Sequence, residues 1–199
     1  AIEILHNFSL VHDDIEDNSL TRRGRPAVWA LWGVPQAVNV ADALFGLAHR
    51  TLDRLADRGV PAKRALAAIR AFDETGLALT EGQYLDMSFE ARQEVTVDEY
   101  LEMIQDKTAA LMGLSTRLGA LLAGASPEVI GHFHRFGERL GVAFQIEDDL
   151  LGIWGDEALT GKSAASDILE KKKTLPVVYG LGSAAGERLR AIYRKPELT

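Results

Sequence analysis

The hydrophobic positions of this chain recur with a helical period, and they predict an all-α protein. Amphipathic stretches run from residue 1 to about Asn18, from Pro35 to Leu55 and from Pro61 to Ala91. No stretch alternates between apolar and polar residues for more than a few positions, as a half-buried strand would. The pattern therefore favours one large helical bundle.

Capping signals place two further helices. Thr96 and Glu99 have the spacing of a capping box, and Ser126 followed by Pro127 marks the start of a long helix. Residues 108–123 are apolar on nearly all sides, which indicates a helix that is buried around most of its circumference. After the long helix the periodicity breaks in a segment rich in Gly, Ser and Lys, and it resumes at "TLPVVYGL".

The composition limits the classes of partner. With 199 residues, 47% of them hydrophobic and 26% charged, the chain is typical of a globular protein, and we expect a single domain over 1–199. A net charge of −7 argues against a nucleic-acid partner. The lack of cysteine excludes disulfides and thiolate metal sites and favours a cytoplasmic setting.

No apolar run approaches the roughly 18 residues of a membrane span, so we expect no stable membrane insertion. Both ends break off within patterned sequence, and we expect a domain that is incomplete at both ends.

Two acidic clusters lie far apart in the sequence. Asp13 and Asp17 are four residues apart, so their carboxylates project from one face of a helix, with Asp14 beside them. Asp148 and Asp149 lie near the end of another predicted helix. If the two helices face each other, the carboxylates suit Mg²⁺, which typically takes one or two carboxylates together with phosphate oxygens.

Basic residues that could balance such phosphates follow the clusters or lie elsewhere in the chain. They are Arg22, Arg23, Lys107, Lys162 and Lys172. Taken alone, each charged cluster is more often a solvated surface, because acidic and basic side chains are mostly exposed. A helical scaffold of that kind would leave the two acidic clusters far apart in space. The combination of the clusters with the surrounding motifs is what indicates chemistry.

Six segments, occurring in a fixed order, resemble the trans-isoprenyl diphosphate synthases, or polyprenyl synthetase family. They are "LVHDDIEDNSLTRRGRP", "GQYLDM", "KTAALMGLSTRLGALLAG", "FQIEDDLLGIWGD", "TGKSAASD" and "KKKTLPVVYGL". The resemblance extends from Ala1 to about Leu181 and is greatest to the geranylgeranyl diphosphate synthases. It implies the isoprenoid synthase fold, an all-α bundle around a central cavity, and usually a homodimer.

The resemblance also implies roles for individual residues. The ligands of three magnesium ions would be Asp13, Asp14, Asp17, Asp148 and Asp149. Arg22 would grip the diphosphate of an allylic substrate, and Arg23 would serve isopentenyl diphosphate. Neutralisation of the allylic diphosphate would fall to Lys107, Lys162 and Lys172. Thr108 and Gln145 would line the reaction cavity, and the catalytic set would be Asp13, Asp17, Lys107 and Asp148.

The implied reaction joins an allylic diphosphate to isopentenyl diphosphate. The allylic C–O bond ionises with the help of magnesium, the double bond of isopentenyl diphosphate attacks the cation, and a proton is lost. Ser9 lies one helical turn before Asp13, and Phe8 precedes it. An aromatic residue with a small neighbour resembles the medium-chain enzymes of the family. The expected product is the C20 diphosphate, with the C15 product as its nearest competitor.

The sequence departs from the family pattern in places, and functions other than chain elongation remain as alternatives. Gly152 stands where the family commonly has a third aspartate, and Asp156 is a substitute that could act through water. The family's Gly-Lys-Arg motif for isopentenyl diphosphate would lie before residue 1. One alternative is a class I terpene cyclase, which ionises an allylic diphosphate without isopentenyl diphosphate; Arg23 weighs against it. Another is a non-catalytic partner subunit, which the intact first acidic cluster disfavours.

Overall fold

A computed structural model describes residues 1–155, 166–169, 171–184 and 186–195, and these residues are predominantly helical. The predicted all-α class is therefore confirmed. The helices among the described residues are α1 (Ile2–Glu16), α2 (Val28–Trp32), α3 (Val34–Asp57), α4 (Ala62–Glu90), α5 (Val97–Ile104), α6 (Ala110–Ala123), α7 (Pro127–Trp154), α8 (Ser166–Leu169), α9 (Leu175–Gly182) and α10 (Glu187–Tyr193). No helix within these ranges is long and apolar enough to cross a membrane.

The predicted caps start the helices where the sequence placed them. The Glu99 N–H donates to Thr96 Oγ1, and the Glu99 carboxylate accepts from the Thr96 N–H, so the capping box of α5 is confirmed. The Val129 N–H donates to Ser126 Oγ at 3.3 Å, which caps α7. Such bonds satisfy backbone donors that have no partner within the helix.

The basic turn after α1 folds as a small hairpin, which the sequence analysis treated as a turn alone. Strands β1 (Thr21–Arg22) and β2 (Arg25–Pro26) pair in antiparallel fashion. Arg23 and Gly24 form the connection with φ angles of 52° and 72°. Two successive positive φ angles are the geometry of a tight two-residue hairpin turn. The hairpin directs Arg22 back toward α1.

A π-helical turn (Gln105–Ala109) joins α5 to α6. The sequence predicted an ordinary buried helix over 108–123, and that helix is present, but its first residues lie in the wider turn. Such turns are rare and often mark functional sites in helices. Here the π turn carries Lys107 and Thr108, two of the predicted site residues.

The chain divides into two compact units. The first comprises Ala1–Gly76 and Arg117–Ile130, and the second comprises Leu77–Thr116 and the described residues of Gly131–Thr199. In the first unit α1 packs on α3 through a cluster that includes Val11, Ala37 and Ala41. The second unit has its own core, made of Phe89, Val95, Tyr100, Met103, Ile104 and Val178. The single domain over 1–199 stays a prediction, as does the meeting of the two acidic clusters.

Candidate active site

The first acidic cluster is joined to an arginine. The Arg22 Nε donates to Asp14 Oδ1 at 2.7 Å, and its Nη2 donates to Asp13 Oδ2 at 2.8 Å. Asp14 is only 4% exposed. The hairpin brings Arg22 to the last turn of α1, and its guanidinium supplies the positive charge that adjacent carboxylates need. The structure thus brings together three of the predicted site residues.

Arg22 is electrostatically suited to remain a cation in this place. Burial works to lower the pKa of Arg22, but the hydrogen bonds and charges of Asp14 and Asp13 outweigh it and raise the pKa above its ordinary value. A guanidinium that spans two carboxylates fixes their geometry better than a point charge would. The cluster is therefore a preorganised arrangement of two acids and one base.

The other predicted residues of the first unit are more exposed. Asp17 follows α1, and its backbone N–H donates to the Asp13 carbonyl at 2.8 Å, while Asp17 itself is exposed. Arg23 is exposed at the tip of the hairpin. The Phe8 ring packs on the Phe45 ring, and the two ring centroids are 5.1 Å apart. The hydroxyl of Ser9 donates to the His6 carbonyl at 2.8 Å.

In the second unit the π turn lies against a glycine of α4. A Cβ at Gly82 would lie 2.8 Å from Lys107 Cα and closer still to its backbone nitrogen, which is a distance that real Cβ atoms essentially never show. A glycine at this position therefore allows two backbones to touch. On the same helix, Asp86 Oδ2 accepts from Lys107 Nζ at 2.5 Å. Neither Asp86 nor the role of Gly82 was among the features predicted from the sequence.

One face of α7 packs on the π turn and carries polar groups at its end. Gly137, Gly141, Gln145 and Asp149 follow each other at intervals of four residues, so they share this face. A Cβ at Gly141 would lie 2.5 Å from Ala109 Cα, so the backbones approach closely there. The spacing of the two glycines is the sequence signal that could have predicted this contact.

Where α7 approaches the π turn, their side chains form a hydrogen-bonded network. Thr108 Oγ1 donates to Gln145 Oε1 at 2.9 Å, and Gln145 Nε2 donates to Asp149 Oδ1 at 3.1 Å. The other oxygen of Asp149, Oδ2, accepts from the Tyr100 hydroxyl and, at 2.7 Å, from the Leu175 N–H. Thus Thr108, Gln145 and Asp149, three predicted site residues, are brought together. Tyr100 is a further member that the sequence analysis missed.

Burial governs the titration of this network. Burial raises the pKa of Asp149, although its donors Tyr100, Leu175 and Gln145 act in the opposite direction. Burial, and then the charge of Asp149, raise the pKa of Tyr100. A phenol with a raised pKa keeps its proton and remains a donor to the carboxylate.

The glycine that replaces the third aspartate of the second cluster lies against a buried carboxylate. Gly152 is buried, and a Cβ there would lie 2.8 Å from Cγ of Asp167 and closer still to Oδ2. Asp167 is 7% exposed, so its carboxylate fills the space that a larger residue at 152 would need. Asp156, the predicted substitute, and Lys162 lie outside the described residues.

The remaining predicted residues are more accessible. Asp148 is partly buried and Lys172 is exposed. Within the described ranges, no group of three or more His, Asp or Glu side chains forms a ready-made metal site. Mg²⁺ does not require one, because it commonly keeps several waters and binds through one or two carboxylates and substrate phosphates. The acidic side chains therefore fit a metal that binds together with a phosphate ligand.

Comparison with known proteins places this geometry in a family. The model of the family described as "Polyprenyl synthetase" matches residues 1–198. The geranylgeranyl diphosphate synthase of Mycobacterium tuberculosis is 48% identical over 98% of this chain and 55% of its own length. The (2E,6E)-farnesyl diphosphate synthase of Mycobacterium bovis is 48% identical over 96% of this chain and 52% of its own length.

A solved structure agrees with this relationship. The geranylgeranyl pyrophosphate synthase of Corynebacterium glutamicum, complexed with isoprenyl diphosphate and magnesium, has a TM-score of 0.85 and 32% identity; the match covers 97% of this chain and 58% of that one. The chain spans about half the length of the curated relatives it matches. Because the family model matches nearly every residue and the fold agrees, this chain belongs to the polyprenyl synthetase family.

Proposed function

We propose that the full-length protein is a trans-prenyltransferase that condenses an allylic diphosphate with isopentenyl diphosphate into a medium-chain polyprenyl diphosphate. The observation that carries this proposal is the match, over nearly the whole chain, to synthases of geranylgeranyl and farnesyl diphosphate. Their identities to this chain are equal at 48%, so they do not choose between C20 and C15. Phe8 with its small neighbour Ser9 favours the C20 product.

The outward-facing carboxylates would hold the metal. We assign this role to Asp13 on α1, to Asp17 directly after α1 and to Asp148 on α7, with three magnesium ions as the family resemblance implies. Bound magnesium would neutralise the diphosphate and so lower the barrier to its departure. The Corynebacterium relative, whose structure contains both isoprenyl diphosphate and magnesium, supports the choice of magnesium as the metal.

The basic residues would bind the substrate phosphates. Arg22 already has its guanidinium fixed beside Asp13 and Asp14, so it can bind the allylic diphosphate without first being ordered. Arg23 would bind isopentenyl diphosphate from the exposed hairpin. Positive charge around the leaving diphosphate would come from Lys107, Lys162 and Lys172. Such charges accelerate the reaction because negative charge on the leaving group grows in the transition state.

The bond changes balance without a protein nucleophile. The allylic C1–O bond breaks and both electrons leave with the diphosphate. The double bond of isopentenyl diphosphate then forms a new C–C bond to C1, and the resulting cation loses a proton to the released diphosphate. Thr108 and Gln145 would line the cavity in which this occurs, with their side chains fixed by their mutual hydrogen bond. A homodimer in the cytoplasm is part of the proposal.

The test is incubation of the full-length protein with magnesium, labelled isopentenyl diphosphate and, in turn, C5, C10 and C15 allylic primers. We expect incorporation of label into a C20 alcohol after dephosphorylation, with C15 as a lesser product. Asp13→Ala and Asp148→Ala should abolish turnover while circular dichroism stays helical. Near-normal turnover in either variant contradicts the metal assignment. A cyclic hydrocarbon formed without isopentenyl diphosphate would instead identify a terpene cyclase.

A further inference from the structure

The indole of Trp29 joins the core of the first unit to the hairpin of β1 and β2. Its ring is partly buried and packs against the cluster of Val11, Ala37 and Ala41. Its Nε1–H donates to the Ser19 carbonyl at 2.8 Å. Trp29 lies in α2, ten residues after Ser19, so this bond closes the segment that contains both strands. No role for Trp29 was predicted from the sequence.

The base of the hairpin is fixed at two successive carbonyls. The Ala27 N–H donates to the Leu20 carbonyl at 2.9 Å, and the indole donates to the carbonyl of Ser19 just before it. The Ser19 N–H in turn donates to the Asp14 carbonyl at 2.9 Å. Ser19 is thus held from two sides, by α1 through its N–H and by α2 through its carbonyl.

The two adjacent arginines of the hairpin are positioned in different ways. Arg22 is held by its own side chain, which donates to Asp13 and Asp14. Arg23 is exposed at the tip, in the turn where both central residues have a positive φ. The place of Arg23 is therefore set by the hairpin backbone and by the bonds at the base of the hairpin. A displacement of the hairpin moves Arg23, whereas the flexible side chain of Arg22 can stay on its two carboxylates.

We propose that Trp29 is a positioning residue for the diphosphate group that Arg23 binds. Through its bond to the Ser19 carbonyl, Trp29 fixes the hairpin so that Arg23 is in place before the substrate arrives. A binding group that is ordered in advance loses less conformational freedom on binding, and the affinity is higher for that reason. That the diphosphate belongs to isopentenyl diphosphate rests on the proposed function, whereas the bond between Trp29 and the hairpin does not.

Two replacements of Trp29 separate the hydrogen bond from the packing of the ring. Trp29→Phe keeps an aromatic ring against the core and removes the N–H donor. Replacement of Trp29 by 3-benzothienylalanine puts sulfur in place of the N–H and keeps the size of the two fused rings as well. Trp32→Phe is the matched control, because Trp32 lies on the same helix and is 63% exposed.

The first measurement is hydrogen–deuterium exchange of the full-length protein without metal or substrate. Both replacements of Trp29 should increase exchange about two- to tenfold in peptides covering 18–27, which corresponds to the loss of one intramolecular hydrogen bond. Trp32→Phe should leave this exchange unchanged. If the benzothienylalanine protein exchanges like the wild type, the indole bond does not hold the hairpin and the proposal is overturned, whether or not the protein transfers prenyl groups.

The second measurement is steady-state kinetics with magnesium, isopentenyl diphosphate and an allylic primer. Both replacements of Trp29 should raise the KM for isopentenyl diphosphate about two- to tenfold, again the range for one hydrogen bond. The kcat and the KM for the primer should stay within about twofold of the wild-type values, and Trp32→Phe should change none of the three. An equal rise in both KM values would indicate a general loosening of the site and would overturn the proposal.

A double-mutant cycle tests whether Trp29 acts through Arg23. In an Arg23→Ala background, Trp29→Phe should raise the KM for isopentenyl diphosphate less than it does in the wild type. Effects that simply multiply would show that the two residues act independently and would overturn the proposal. If the wild-type protein shows the exchange pattern but transfers no prenyl group, the proposed function is wrong and so is the diphosphate assigned to Arg23, while the positioning of the hairpin by Trp29 stands.

Discussion

The contact between Gly82 and the π turn gives a strong test of why the second unit folds as it does. Replacing Gly82 with alanine adds a Cβ that would lie 2.8 Å from both Asp106 C and Lys107 Cα. The atoms that it meets belong to backbone, so no rotamer change can relieve the overlap. Since carbon atoms prefer separations of 3.5–4.0 Å, the π turn has to move by about 1 Å.

The expected cost combines two opposing terms. An alanine within a helix is favoured over glycine by roughly 0.5–1 kcal/mol. Overpacking a tight contact costs typically about 1–3 kcal/mol. Because the contact is backbone against backbone, we expect the upper part of that range, and a net destabilisation of roughly 1–2 kcal/mol. The displaced residues include Lys107, so prenyl transfer should fall more than the stability loss alone would cause.

The assay is urea unfolding of the full-length protein, followed by circular dichroism, together with steady-state kinetics. Gly46→Ala is the matched control, because Gly46 lies inside α3 and a Cβ there meets nothing within 4 Å. That variant should gain up to about 1 kcal/mol and keep full activity. If Gly82→Ala proves as stable as Gly46→Ala, the close approach between α4 and the π turn is not real.

Three further predictions use other contacts. Burial lowers the pKa of His49, but its hydrogen bond to Asp73 at 2.7 Å helps to raise it above the ordinary 6.5. This partly exposed pair therefore stabilises the fold below pH 6.5, and the stabilisation is lost as pH rises through the raised pKa. In urea unfolding, Asp73→Asn should lower the free energy of unfolding by roughly 0.2–1 kcal/mol in acid and change it little at alkaline pH. Phe8→Ala should lengthen the product, and an unchanged product spectrum would exclude Phe8 as a floor residue. Gly152→Ala should destabilise the protein, and a double-mutant cycle should show a smaller cost when Asp167→Ala is also present; additive costs would refute the steric explanation.

Much of the fold was accessible from the sequence because buried helix faces impose a period that local pattern reveals. The helices predicted over Pro35–Leu55 and Pro61–Ala91 are found at Val34–Asp57 and Ala62–Glu90. The π turn could not be predicted in this way. It depends on backbone contacts with Gly82 and Gly141, and a periodicity reading within one segment contains no information about such neighbours.

The candidate site was likewise predictable only where its residues lie close together in the sequence. Asp13, Asp14 and Arg22 lie within ten residues of each other and were all predicted site residues, but the sequence assigned Arg22 to a phosphate ligand and did not predict its bonds to the two carboxylates. Tyr100 was missed because its partner Asp149 is 49 residues away in the sequence. Nothing near Tyr100 in the chain distinguishes it from an ordinary core aromatic residue, and only the packing of α5 against α7 brings its hydroxyl to the carboxylate.

Each acidic cluster contains two adjacent aspartates, Asp13–Asp14 and Asp148–Asp149, and helix geometry explains why the two members of each pair differ. On a helix, neighbouring residues point about 100° apart, so an Asp-Asp pair directs one carboxylate inward and one outward. The side chain of Asp14 is 6% exposed against 19% for Asp13. Asp149 is likewise buried, while Asp148 is only partly so. Asp14 and Asp149 are the more buried members of the two pairs, and both accept hydrogen bonds from protein groups. Asp13, which also accepts from Arg22, and Asp148 are more exposed.

The same geometry explains why the two acidic clusters differ at their third position. Four residues after Asp13, Asp17 returns to the outer face and is exposed. Four residues after Asp148 comes Gly152, which is buried because the carboxylate of Asp167 fills the adjacent space. An aspartate at 152 would place two carboxylates in one buried volume, where like charges repel strongly. Among the described residues, the space beside position 152 is thus occupied by the carboxylate of Asp167 on α8, and the glycine on α7 leaves room for it.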